Sequence, residues 1–245
     1  MAKRSSPSPL TKEAIDEQAA MPGRRERAKI EKRARLVTAA RELFSSKGFA
    51  AATTSEIAQR ADIGAGTLFL YVRSKEELLV LVFQEDMIRV RDEAFASMAA
   101  GATLLDEICS LYDALAAFHE QDRALARIYT KELAHVRDPN RTEVDAFMEG
   151  LFTRSDERIE MAKARGEIAS DVPTRLLSQN LFAIYFALLR RDLEAEAALT
   201  SPECVGERHA ALALQLRGLA QQIANVNRQD VASTRHRRPP VPVGC

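Results

Sequence analysis

Thr53-Thr54-Ser55-Glu56-Ile57-Ala58-Gln59-Arg60-Ala61-Asp62-Ile63-Gly64-Ala65-Gly66-Thr67-Leu68-Phe69-Leu70-Tyr71-Val72-Arg73-Ser74-Lys75-Glu76-Glu77-Leu78 decides how the rest of the chain is read. Thr53 followed by Glu56 has the form of a capping box, in which each side chain satisfies a backbone N–H of the other, and Ile57 and Ala58 then supply a short apolar face. A helix is predicted from about Thr54 to Ala61. Asp62-Ile63-Gly64 ends it, because Asp tolerates a left-handed backbone and Gly adopts one at little cost, so the chain can turn sharply and restart. A second short helix is predicted from about Ala65 to Tyr71. Ser74 with Glu77 is another capping box and opens a longer helix at Lys75. Two short helices joined by a tight turn make a helix-turn-helix, whose second helix fits the major groove of DNA.

Upstream, Leu36, Val37, Ala40, Leu43 and Phe44 share one face of a helix predicted over Arg24 to Lys47, with Gly48 as its C-terminal cap. Its first turns carry Arg24, Arg25, Arg27, Lys29, Lys32, Arg33 and Arg35. Positive charge near a helix N-terminus opposes the macrodipole, so this placement makes sense when an external polyanion compensates it. The charge of the whole 245-residue chain sums to zero, yet the first 75 residues hold 15 Lys and Arg against 8 Asp and Glu, and the rest hold 20 against 27. A basic first third on an acidic remainder suits a protein that meets phosphate with one end only.

Downstream, Leu78, Leu79, Val82, Phe83, Met87, Val90 and Phe95 carry the Lys75 helix on to about Ala100, which is too long for a small bundle and makes it a link into a second domain. Thr103 with Asp106 caps the next helix, and another starts near Asp122. Arg137 to Asn140 is a loop, since Pro139 constrains the residue before it. Helices are then predicted over Thr142 to Arg165, from Asp171-Val172-Pro173 through a strongly apolar run, and from Ser201-Pro202 to about Asn225. Residues 1–23 and 226–245 have turn and breaker composition without periodicity and are expected to be disordered.

Absent Trp, scarce Gly and recurrent apolar residues at helical spacing favour an all-α protein, and no alternating strand pattern is present. No apolar run reaches the roughly 20 residues of a membrane span, and no signal-peptide core begins the chain, so a cytoplasmic location is expected. Cys109, Cys204 and Cys245 are odd in number and widely spaced, which favours reduced thiols. His119, His135, His209 and His236 lack metal-ligand spacing. Gly64-x-Gly66 follows no strand, and neither a nucleophile elbow nor a Walker loop occurs. No catalytic residue, metal or cofactor is therefore expected, nor an enzyme.

From about Arg24 the chain is similar to the DNA-binding domain of the tetracycline-repressor (TetR) family of bacterial one-component regulators. The resemblance is carried by Leu43-Phe44, Gly48-Phe49, Thr53, Ile57-Ala58, Ala61, Gly66-Thr67-Leu68, Tyr71 and Ser74-Lys75-Glu76-Glu77-Leu78. Asp62 stands where the family usually has Gly, Gly64 where it usually has Ser, Ala65 where a basic or polar residue is frequent, and Phe69 where Tyr is common. The last two departures remove DNA contacts and leave the operator sequence open.

The resemblance implies an N-terminal three-helix helix-turn-helix DNA-binding domain over residues 24–80 and a C-terminal helical ligand-binding and dimerisation domain over 81–225, whose last two helices pair in a four-helix bundle. It implies a transcriptional regulator acting as a homodimer, a repressor released from double-stranded operator DNA by a small apolar or weakly polar ligand. The DNA-binding residues would be Thr53, Ser55, Ala65, Gly66, Thr67, Phe69, Leu70, Tyr71 and Lys75, with Thr67 and Tyr71 on phosphate or base edges and Lys75 on phosphate. Aromatic residues between positions 75 and 190, drawn from Phe83, Phe118, Tyr129, Phe147, Phe182 and Tyr185, would line the ligand pocket. Ala65 and the apolar Phe69 and Leu70 motivate an alternative, a helical ligand-binding or adaptor dimer with a weakened DNA-binding domain.

Overall fold

The computed structural model describes residues 23–99, 101–195 and 197–217. The segments expected to be disordered, apart from Gly23, and the end of the last predicted helix lie outside these. The described residues are all-α: α1 (Arg24–Lys47), α2 (Thr54–Arg60), α3 (Ala65–Leu68), α4 (Lys75–Ala96), α5 (Leu104–Glu120), α6 (Arg123–Glu132) with a 3-10 turn at Leu133–His135, α7 (Arg141–Ala164) and α8 (Thr174–Glu194). A further helix, α9, spans 202–217. The chain divides into two compact units, Met1–Leu78 and Leu79–Cys245.

In the first unit Leu36, Val37, Ala40 and Phe44 of α1 are buried with Ile57 and Ala58 of α2, Leu68 of α3 and Val72. Gly48 has φ 81° and ψ 156°, a conformation reserved for glycine, and its N–H closes on the Phe44 carbonyl at 3.0 Å. The Thr53–Glu56 capping box forms in both directions. In the turn that follows, Asp62 takes the left-handed backbone, φ 53°, while Gly64 is extended at φ −63°, ψ 141°; Asp62 thus makes the turn that both residues were expected to allow. Regular helix in α3 stops at Leu68, short of the expected Tyr71. The N–H groups of Leu70 and Tyr71 instead bond three residues back, to Thr67 (3.1 Å) and Leu68 (2.9 Å), a tightening of the last turn. At the start of α4 the Ser74 hydroxyl accepts from the Glu77 N–H at 3.1 Å, and the Glu77 carboxylate accepts from the Arg73 N–H at 2.6 Å. The helix ends at Ala96, not at Ala100.

In the second unit α8 lies against α6 and α7, and α5 against α6 and α7. Ile108, Leu111, Tyr112 and Leu115 of α5, Tyr129 of α6, Leu151 and Ile159 of α7, and Leu181, Tyr185 and Leu189 of α8 form the core. Two arginines close its ends. Arg123 donates to the carbonyls of Asp192 (2.7 Å), Ala195 (2.6 Å) and Ala197 (2.9 Å), occupying acceptors that the end of α8 leaves without helical partners. Arg208 on α9, 2% exposed, donates to Asp113 Oδ1 at 2.7 and 2.9 Å, and His209 meets Asp113 Oδ2 at 2.6 Å, which ties α9 to α5.

Candidate functional site

The helix-turn-helix presents a carbon-rich surface. Ala65, Gly66, Phe69 and Leu70 are exposed, Leu70 at 76%, while Leu68 is buried beneath them and Thr67 and Tyr71 are half-buried. Ser55 is exposed at the start of α2. The Thr53 hydroxyl is occupied, donating to Glu56 Oε2 (2.8 Å) and accepting from the Glu56 N–H (3.2 Å). Lys47 bonds the same carboxylate at 2.5 Å, and this bond first, with those from Thr53, holds the Glu56 carboxyl down to about 2.

Lys75 has a different task from the phosphate contact expected of it. Its ammonium donates to the carbonyls of Phe49 (2.8 Å), Ala50 (3.4 Å) and Ala52 (3.0 Å), which accounts for all three of its donors, and it sits 4.4 Å from the centre of the Phe49 ring. Its charge pins the loop after α1 to the start of α4. Arg73, two residues earlier and exposed, enters none of the ion pairs among the described residues. Arg24, Arg25, Arg27, Lys29 and Lys32 are exposed along the first turns of α1.

The second unit contains a cavity of about 20 Å3. Four of the aromatic residues expected there, Tyr129, Phe147, Phe182 and Tyr185, line it. Phe83 and Phe118 do not: Phe83 stacks on Tyr129 at 5.0 Å and Phe118 packs edge-on to Phe83 at 5.4 Å, so both form a layer behind the wall. Met87, His119, Met148 and Phe186 join the lining. Met148, Phe182 and Phe186 are half-buried, and the rest of these are buried. A space of this size takes about one water molecule, so a larger guest must move side chains.

The wall is apolar except at a few atoms. His119 Nδ1 lies 2.6 Å from the Leu115 carbonyl; a carbonyl only accepts, so Nδ1 carries the proton and Nε2 presents a lone pair. Burial pushes the imidazole down to about 4, so it is neutral at neutral pH. Tyr129 donates to Gln84 Oε1 at 3.4 Å. Tyr185 stacks on Tyr112, with ring centres 4.5 Å apart and planes 5° apart, and burial raises both phenols. His119 Nε2, Tyr185 Oη and Gln84 Nε2 are buried without a hydrogen-bond partner among the described residues. No group of three His, Cys, Asp or Glu among those residues could hold a metal, and no helix there is long and apolar enough to cross a membrane.

Residues 36–82 match the family model for bacterial regulatory proteins of the tetR family. The HTH-type transcriptional regulator UidR of Escherichia coli strain K12 is 29% identical over 168 residues, which are 67% of this chain and 82% of that one. The fatty acid metabolism regulator protein of Bacillus subtilis strain 168 is 24% identical over 147 residues, 60% of this chain and 76% of that one. Among solved structures, Thermus thermophilus FadR, a TetR family transcriptional repressor in complex with lauroyl-CoA, matches with a TM-score of 0.59 at 25% identity, over 86% of this chain and 100% of that one.

Proposed function

The chain belongs to the tetR family of bacterial regulatory proteins, and from that premise we propose that it is a homodimeric repressor whose α3 reads operator DNA and whose second unit releases that DNA when an apolar or weakly polar ligand enters its cavity. It is a DNA-binding transcriptional regulator, as are the relatives it matches. The observation that carries the ligand half is the lining of the cavity: methionines and phenylalanines with a few buried polar atoms nearby are the composition of a small-molecule site, which must widen to admit its guest. The lauroyl-CoA bound by the Thermus thermophilus relative makes a fatty-acyl chain one class of guest to test here.

On DNA, exposed Leu70 and Ala65 suit contact with thymine methyl groups, and Thr67 and Tyr71 supply hydroxyls for base edges or phosphate. Hydrogen-bonded base readout is therefore sparse and affinity leans on phosphate, met by Arg73, the Ser55 end of α2 and the arginines of α1. Leu176 on α8, 53% exposed, and Leu214 on α9, 73% exposed, leave apolar surface on the last two helices of the single chain, where the partner subunit would cover them.

Release follows from a population shift. A ligand lowers operator affinity by its preference for the DNA-incompetent form of the dimer, so a hundredfold loss needs a preference of about hundredfold. The test is a thermal-shift screen of acyl thioesters, alkanes, alcohols and phenols, followed by titration of operator DNA with each stabilising compound at saturation. Weakened operator binding supports the reading; compounds that bind the cavity yet leave operator affinity unchanged contradict it.

A further inference from the structure

His119 of α5 and Tyr185 of α8 both line the cavity, and each side chain, only 2% exposed, carries a buried polar atom, Nε2 and Oη. Neither has a protein partner among the described residues. Buried polar atoms are nearly always paired, because an unpaired one forfeits its hydration for nothing. Two such atoms on residues that line one cavity point to a polar group on its guest.

Their chemistry is not interchangeable. With Nδ1 committed to the Leu115 carbonyl, Nε2 can only accept, so it needs a donor. The Tyr185 hydroxyl can donate or accept, and its ring is fixed against Tyr112. The residues lining the cavity include no Lys, Arg, Asp or Glu, so an ionised guest would be buried without a counter-charge. An alkane, ether, ketone or thioester has no donor for His119. A hydroxyl can donate to His119 and accept from Tyr185.

We propose, resting on the reading of this cavity as the effector site, that its ligand is a hydrophobic molecule bearing a neutral hydroxyl, a phenol or an alcohol, which donates to His119 Nε2 and accepts from Tyr185 O–H. Met87 and Met148 make the enlargement feasible, since unbranched thioether side chains repack readily, and half-buried Phe182 and Phe186 mark the side that opens. The polar pair sets specificity while the apolar wall supplies affinity, because a site built for a hydroxyl rejects analogues that lack it.

The experiment uses the full-length protein and two probe series: 4-alkylphenols with their methyl ethers, and 1-alkanols with theirs, in each case from one to eight alkyl carbons. Isothermal titration gives Kd for wild type, Tyr185→Phe and His119→Phe. In wild type the best hydroxyl probe should bind about tenfold or more tightly than its ether. Tyr185→Phe, which removes one oxygen and keeps the ring stack, and His119→Phe should each erase most of that preference while leaving the ether's affinity within about threefold. If His119→Phe does not fold, Tyr185→Phe alone decides. Equal binding of hydroxyl and ether by wild type, the outcome if the pair serves a bound water only, overturns the proposal. So does a preference that survives substitution, or no binding by any hydroxyl probe. The release mechanism is judged separately by operator affinity: a selective phenol that leaves DNA bound defeats that mechanism alone, and an unselective ligand that releases DNA defeats this inference alone.

Discussion

Acidification from pH 8 to pH 5 should destabilise the second unit through one side chain. Native His119 is held to about 4 by burial, against 6.5 for an unhindered imidazole. A depressed value means that between these limits the unfolded chain binds a proton that the native chain refuses. The stabilisation is therefore complete above pH 6.5, declines as pH falls, and is gone by about pH 4. Integrated from pH 8 to pH 5, the loss is about 2 kcal/mol, out of about 3 kcal/mol for the whole shift. Urea unfolding at fixed protein concentration, followed by far-ultraviolet circular dichroism at pH 8, 7, 6 and 5, would measure it, with His119→Phe as the variant that keeps a ring and cannot titrate. Constant concentration matters because a dimer's stability depends on it. Wild type should lose about 2 kcal/mol more than the variant over this range. Parallel pH profiles would refute the reasoning, since they would mean that His119 is protonated in the native state as readily as in the unfolded one.

Lys75→Met should destabilise the first unit by about 2 kcal/mol, since three carbonyls lose a charged donor, while the salt dependence of DNA binding stays unchanged. Arg73→Ala should do the reverse, reducing the salt slope by about one and leaving the melting temperature alone; titrations at several salt concentrations compare the two. Glu56→Gln should flatten the acid limb of the first unit's stability. The depressed carboxyl favours the fold above about pH 4.5 and loses that effect as pH falls toward 2, which circular dichroism across this window would follow. Leu214→Glu should weaken self-association at least about hundredfold, because a two-fold interface carries the change twice, and sedimentation equilibrium should then show monomer at micromolar concentration.

What could be read from the sequence was local. The capping boxes at Thr53–Glu56 and Thr103–Asp106 form as their spacing implies, because both partners lie within one helical turn. The turn was legible as a turn, but whether Asp62 or Gly64 takes the left-handed backbone also depends on the Ile63 N–H returning to the Ala58 carbonyl at 3.0 Å. Lys75 shows the limit more sharply. Its position at a helix start looks like a phosphate contact, and only the fold brings Phe49 and Ala52, 26 and 23 residues away in sequence, to its ammonium. The cavity followed the same rule. Aromatic residues were expected along a pocket that the family resemblance implied, but their spacing could not separate Tyr129, Phe147, Phe182 and Tyr185 from Phe83 and Phe118, which pack behind the wall, since a void is what several helices fail to fill together. His119 was passed over because its meaning lies in where Nδ1 and Nε2 end up, and spacing along the chain does not encode that.

Selection of duplexes from a random pool by the full-length protein tests the central claim most directly. The account predicts an enriched inverted repeat, as a two-fold dimer requires, with thymines at positions whose preference relaxes in Leu70→Ala. Recovery of sequences with no common motif, by a protein that is folded and dimeric, would contradict it and favour the adaptor dimer with a weakened DNA-binding domain.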